Sequence, residues 1–234
     1  MAQTYQAPSS FTEQDTIRLG KLNALIEQGR NPYEITTYDR THTSGLIRDQ
    51  YDALEGKTVR IAGRILGKHI MGKASFARIQ DPDGTMQIYV KRDDVGEDAY
   101  KDFKALDIGD IIGVEGVVFK TKTGEISVRT SKVTLLSKSL LPLPEKYHGL
   151  TNVDARFRQR YVDLMVNPEV KRNFKIRSQF IKHLRSYLDD MDYIEVETPV
   201  LNTIAGGAAA RRWCSGRGSP PRCSPYRPDS CAGA

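Results

Sequence analysis

Between Lys57 and Leu136 the chain alternates apolar and polar residues with a period of two, the signature of half-buried strands. Over Lys57–Leu66, Val59, Ile61, Gly63 and Ile65 fall on one face and Arg60, Ala62 and Arg64 on the other. The stretch Lys73–Val90, KASFARIQDPDGTMQIYV, predicts two further strands joined by an Asp-Pro-Asp-Gly turn. Ala77, Ile79, Met86, Ile88 and Val90 share its apolar face, and Phe76, Arg78, Gln80, Gln87 and Tyr89 share the other. A helix around Glu97–Leu106, with Tyr100, Phe103 and Leu106 inward, precedes a strand at Ile111–Phe119. A turn through Lys122-Thr123-Gly124 then leads to a last strand from Glu125 to about Leu136. Five short strands with a helix between the third and fourth, in about 80 residues, is the order of an oligonucleotide-binding (OB) barrel, whose second and third strands carry the ligand face.

The flanks read as helical. Ile17, Leu22, Leu25 and Ile26 recur at helical spacing between Thr12 and Gln28, with Gly29 as the stop and Asn31-Pro32 as the breaker. A short helix is expected near Ser44–Tyr51. After the barrel, Leu140-Leu-Pro-Leu-Pro144 is a stiff, extended linker, because each proline fixes its own φ and disfavours helix before it. A helical stretch from about Asp154 to Met165 follows. Asn167-Pro168-Glu169 then opens a longer helix, along which Val170, Phe174, Ile181, Leu184 and Leu188 make one apolar stripe down to about Asp190. Tyr193–Val200, YIEVETPV, alternates as a strand.

Charge changes this picture only once it is located. The formal net charge of +6 suggests a polyanionic partner, but residues 211–234 hold five Arg and one Asp, leaving 30 basic against 28 acidic residues in the preceding 210. The body is nearly balanced, so any nucleic-acid contact has to come from local arrangement. All three cysteines (Cys214, Cys223, Cys231) and the single Trp213 also lie in that last segment. Their spacing matches neither a four-ligand zinc pattern nor an even disulfide framework, so no metal site is expected. A cysteine-free body, no apolar span and an N-terminus without a secretory signal point to a cytoplasmic protein that does not cross a membrane.

The candidate chemistry sits on the outer face of the hairpin. A half-buried sheet normally turns small polar or charged residues to water, so Phe76 among Arg78 and Gln80 is either an isolated surface hydrophobe or a stacking platform for a nucleobase. Arg64 and Arg78 read equally as solvated strand charges or as cations for phosphate.

Four segments carry a resemblance to a known family: LPLPEKYHGL (Leu141–Leu150), RFRQRYVDL (Arg156–Leu164), YIEVETPVL (Tyr193–Leu201) and GGAAAR (Gly206–Arg211). With the order barrel, linker and long helix, the chain resembles the N-terminal part of a bacterial-type lysyl-tRNA synthetase, from about Leu19 to Arg211. The implied fold is α+β: an N-terminal helix, a five-stranded OB barrel, the start of a class II synthetase antiparallel α/β domain, and a disordered tail. The implied segments are 1–56 (N-terminal helical), 57–139 (anticodon-binding barrel), 140–150 (linker), 151–210 (partial catalytic domain) and 211–234 (tail). The family usually has Gly where this chain has Asp192, and Asp tolerates the left-handed conformation that turn needs.

By the resemblance, the barrel recognises the anticodon of lysine tRNA. Phe76 then stacks on the central anticodon base, Gln87 and Glu125 hydrogen-bond base edges, and Arg64 and Arg78 contact base or phosphate. The stripe Val170, Phe174, Ile181 and Leu184, with Pro199, corresponds to a homodimer interface, and Gly206 and Gly207 to the border of the lysine pocket. The family reaction joins lysine to tRNA using ATP and Mg2+. The Arg and Glu that hold ATP, and a late G-x-G-x-x-x-R arginine, are expected beyond GGAAAR. Here the tail from Arg211 has no Ile, Leu, Val, Phe or Met, and its GRGSPPR matches that pattern only by chance, because Pro220-Pro221 forbid the helix the arginine needs. No catalytic residue is therefore assigned, no cofactor is expected to bind fully, and the tail reads as translation in a shifted frame, leaving a chain inactive on its own. The alternative is a non-catalytic binder of tRNA or single-stranded nucleic acid.

Overall fold

The structure, a computed structural model, describes residues 11–144 and 152–197 together with Tyr5, Pro8 and Leu150. Residues 1–171 and 172–234 form two separate units.

The first unit opens with α1 (Glu13–Glu27), started by a capping box in which Thr12 and Asp15 exchange backbone and side-chain hydrogen bonds. Gly29 ends it at φ +70, as expected of a left-handed helix stop. Leu19, Leu22 and Ile26 are the buried stripe, packed with Phe11 and Leu140. Ile17, expected inward, is 55% exposed: at about 100° per residue it lies nearly opposite Leu19, and Leu19 took the core position. A 3₁₀ turn (Pro32–Glu34) and the short helices α2 (Ser44–Asp49) and α3 (Tyr51–Leu54) lead into the barrel.

Five strands make a closed barrel in the order β1-β2-β3-β5-β4, with β1 (Thr58–Met71), β2 (Ala74–Gln80), β3 (Thr85–Lys91), β4 (Ile111–Lys120) and β5 (Ile126–Ser137). Neighbours pair antiparallel except β3 and β5, which run parallel. Between β3 and β4 lie α4 (Arg92–Val95) and α5 (Glu97–Ala105), and α5 buries Tyr100 and Phe103 against the barrel interior. The core is the inward set read from the alternation: Val59, Ile61, Ile65, Ala77, Ile79, Met86, Ile88 and Val90, joined by Ile112, Val114, Val118 and Val128. Gly116 lets the barrel close, because a Cβ there would lie 2.2 Å from the Arg129 carbonyl oxygen at a shift in the β4–β5 register.

The first strand is longer than the alternation suggested. It runs to Met71 because the β1–β2 register shifts between Ile65 and Gly67. Before the bulge Ile65 sits opposite Ile79 inside; after it Gly67 faces Arg78 and His69 faces Phe76, both on the outer surface.

The chain leaving the barrel is held at several points. Buried Lys138 binds Asp107 at 2.5 Å and Asp110 at 2.7 Å, and Asp110 also accepts from the backbone N–H of Ser139. Arg18 of α1 donates to the carbonyls of Ile108, Ser139 and Leu141, and the Tyr33 hydroxyl donates to that of Lys138. The expected helix near 154–165 is two helices, α6 (Val153–Arg158) and α7 (Arg160–Val166). Arg156, Arg160 and Asn167, at helical spacing from Asp163 across the break at Gln159, all donate to its fully buried carboxylate.

The helix α8 (Pro168–Asp189) carries Glu169 in its first turn and continues into the second unit. It ends in a Schellman motif: Asp192 N–H donates to Asp189 O (3.0 Å) and Tyr193 N–H to Leu188 O (3.1 Å), with Asp192 at φ 63. The left-handed turn expected at Asp192 is therefore formed. The strand expected at Tyr193–Val200 is not formed over 193–197, which have no ladder; a strand needs a neighbour to pair with, and among the described residues every strand belongs to the barrel. No residue of α8 is buried, and Phe174, Ile181, Leu184 and Leu188 are each 38–47% exposed. Pro199, Gly206, Gly207 and the tail from Arg211 lie outside the described residues. Among the described residues no helix is long and apolar enough to cross a membrane.

Candidate nucleic-acid interface

The hairpin β2–β3 presents the face that the alternation predicted, and its turn is tightly built. Asp81 accepts from the backbone N–H of Asp83 (2.9 Å) and Gly84 (2.8 Å), and from both the backbone and hydroxyl of Ser44 at the start of α2. Burial alone would raise the Asp81 pKa, but these donors outweigh it and hold the carboxyl below its ordinary value. The other end of the hairpin is fastened by Tyr100, whose hydroxyl lies 2.8 Å from that of buried Ser75 and donates to Gly72 O at 3.0 Å. A surface anchored at both ends can present side chains with little ordering cost on binding.

Four of the five barrel residues singled out in the sequence meet on this surface. Arg78 is the cross-strand partner of Gln87, and Phe76, two residues along β2, is the partner of Tyr89. Glu125 reaches the same patch from the β4–β5 turn, with its carboxylate 3.9 Å from the Arg78 guanidinium. Both groups are about half exposed (54% and 49%), so the pair is loose and each remains available to a ligand. The turn itself is ordered: Thr121 N–H donates to Glu125 O (2.9 Å), Glu125 N–H to the Thr121 hydroxyl (3.0 Å), and Gly124 supplies a φ of +87.

Arg64 stands apart. Its guanidinium donates to the Gly109 carbonyl at 2.7 Å, on the β4 side of β1 rather than toward the hairpin, and partial burial lowers its pKa. Arg129, beside Tyr89 on the outer surface, is also committed, by a bidentate pair with Asp94 (2.7 Å each) that holds the Asp94 carboxyl below its usual range.

Three features were not drawn from the sequence. Ser127 donates to the Gln87 side-chain oxygen at 3.3 Å and so orients that amide. Tyr89 packs on Phe76 with ring centroids 4.9 Å apart and on Phe119 of β4 at 6.1 Å. His69 is exposed opposite Phe76. Tyr89 was visible as a polar-face residue, but its two ring neighbours follow from barrel closure, which local periodicity does not encode.

The patch therefore offers a partly exposed ring, an amide with free donors, a guanidinium and a carboxylate within two rows of one sheet. A ring takes the face of any base, whereas the amide and the carboxylate read donor and acceptor positions on its edge. Among the described residues no group of three or more His, Cys, Asp or Glu side chains is arranged to hold a metal ion.

Residues 59–136 match the OB-fold nucleic acid binding domain family, and residues 152–217 match the tRNA synthetases class II (D, K and N), the latter continuing past the composition break at Arg211. The chain belongs to the class II tRNA synthetases, with the OB barrel and the opening helices of the synthetase domain. Within that class it groups with the lysine–tRNA ligases. It is 58% identical over 195 residues to the lysine–tRNA ligase of Thermoanaerobacter sp. (strain X514), covering 83% of this chain and 39% of that protein. It is 56% identical to that of Carboxydothermus hydrogenoformans over 195 residues (83% and 40%) and 53% identical to that of Clostridium novyi over 194 residues (83% and 38%). The chain thus spans about two fifths of the length of the curated relatives it matches.

Proposed function

We propose that this chain binds the anticodon loop of a lysine tRNA on the outer β2–β3 face of its barrel, as the anticodon-reading part of an ATP-dependent lysine–tRNA ligase. Phe76 stacks on the central base, Gln87 donates to a base edge, Glu125 accepts from a base N–H, and Arg78 neutralises phosphate while screening Glu125. Arg64 contributes less directly, since its guanidinium is already bound. The observation that carries the reading is Glu125: an acid held by an ordered turn beside an arginine weakens phosphate binding unless it reads a base. Joining of lysine to tRNA, with ATP and Mg2+, is the activity that the relatives' name states; for this chain it is part of the proposal, as is a cytoplasmic location.

The apolar stripe of α8 supports a second element of the proposal, a homodimer contact through Val170, Phe174, Ile181 and Leu184. Light scattering of the intact chain against an Ile181→Asp, Leu184→Asp variant tests it: a mass that falls to the monomer supports the contact, and an unchanged mass refutes it.

Anticodon reading is tested by titrating the chain with a lysine-anticodon stem-loop and with the same stem carrying a scrambled loop. Preference for the lysine loop is expected. Equal affinity identifies a general single-strand binder instead.

A further inference from the structure

We propose that the row Phe76–Tyr89–Phe119 extends the RNA face across β5 onto β4, with Phe119 as a second stacking platform for a nucleotide neighbouring the one on Phe76, and Tyr89 as the residue that positions both rings. The inference rests on the anticodon reading of the β2–β3 face and deepens it. All three side chains lie on the outside of the barrel and are partly exposed, while the interior core is filled without them. Interior packing therefore does not account for them. The ring contacts are tilted (43°) and edge-on (61°), so Tyr89 presents itself between its neighbours without covering the face of either in a parallel stack.

Strand β5, lying between β3 and β4, is cleared for such a path. Its residue opposite both Gln87 and Phe119 is Ser127, small and fully buried, with its hydroxyl turned to Gln87. Its next outward residue, Arg129, is drawn aside by the bidentate contact with Asp94. A larger side chain at position 127 would stand between Tyr89 and Phe119. The ligand class this fits is a single-stranded RNA loop with two unstacked bases, one on each outer ring.

The test uses the full chain, the lysine-anticodon stem-loop, and stem-loops with one abasic site at each loop position in turn. Phe119→Ala is expected to weaken binding of the intact loop about tenfold. That loss should vanish at one abasic position, different from the position that cancels the loss in Phe76→Ala. Because Phe119→Ala removes packing as well as a ring, Phe119→Leu is measured beside it, with a thermal melt of each; a folded Phe119→Leu that binds as weakly as Phe119→Ala supports the proposal. Wild-type affinity in a folded Phe119→Leu, or a loss that persists at every abasic position, overturns it. The two readings fail separately: if Phe76→Ala weakens binding and the Phe119 variants do not, only the second platform is lost, whereas unchanged binding in Phe76→Ala removes the anticodon reading itself.

Discussion

Ser127 and Gln87 face one another across the parallel β3–β5 pair, and the buried Ser127 hydroxyl donates to the Gln87 side-chain oxygen at 3.3 Å. The same hydroxyl lies 3.4 Å from the Glu125 carbonyl oxygen, so one buried side chain of the barrel wall touches both Gln87 and Glu125.

Removing that contact should blur base selection more than affinity. Ser127→Ala is expected to cost about 0.5–1.5 kcal/mol on the matched loop, the usual net worth of one hydrogen bond. The same change should have no effect on a loop abasic at the base that Gln87 reads. Fluorescence titration of both loops against both proteins checks this, and an equal loss on the two loops would show that Ser127 acts on fold alone.

The hairpin turn should make the barrel acid-sensitive. Asp81 is held below its ordinary pKa of 3.8, so its contribution is fully present above that value and is lost as pH falls through the lower folded-state pKa. Asp107, also held low once its hydrogen bonds to Lys138 and Lys21 outweigh burial, adds in the same direction. Asp81→Asn should be less stable than wild type at pH 7 and should show a shallower decline below about pH 4, measured by urea unfolding across pH. Parallel curves for the two proteins would refute the assignment.

Lys138 lies 2% exposed between Asp107 and Asp110, the latter fully buried. Lys138→Met leaves the buried Asp110 carboxylate without its cation, while Asp107 keeps Lys21, and the expected loss is about 3–5 kcal/mol in unfolding free energy. A loss below about 1 kcal/mol in chemical denaturation would mean that water already compensates the pair.

At the end of α8, Asp192 takes the left-handed position usually held by glycine. Asp192→Gly should keep the two Schellman hydrogen bonds, whereas the β-branched Asp192→Val should destabilise the helix end by about 1–2 kcal/mol. Hydrogen exchange at the amides of Asp192 and Tyr193 reads the difference. Equal protection in both variants contradicts the motif's dependence on that residue.

How much of this was legible in the chain depends on the range of the interaction. The barrel's inward set, from Val59 to Val90, follows from a period of two, and the same alternation put Phe76, Arg78 and Gln87 outward before any contact was known. Local chemistry likewise gave the Gly29 helix stop, whereas the left-handed turn at Asp192 was implied by the family resemblance. The bulge at Ile65/Gly67, which turns His69 to the outer face, carries no strong local signal, because a register shift is set by the partner strand. The position of Ile17 needed the identity of the surface beneath α1. The strand expected after Tyr193 failed for the same reason in reverse, since its alternation is real but a strand exists only with a neighbour. Arg64 kept its predicted face yet lost its availability to the Gly109 carbonyl, a contact 45 residues away in sequence.

The central claim is that Phe76 stacks on a base while Arg78 meets phosphate. It is tested most directly by titrating wild type, Phe76→Ala and Arg78→Ala with the lysine-anticodon stem-loop over a range of salt concentrations. Phe76→Ala should lose about 1–3 kcal/mol with an unchanged salt dependence, and Arg78→Ala should flatten that dependence by about one counterion. Wild-type affinity in Phe76→Ala, or the same salt slope in both variants, would contradict it.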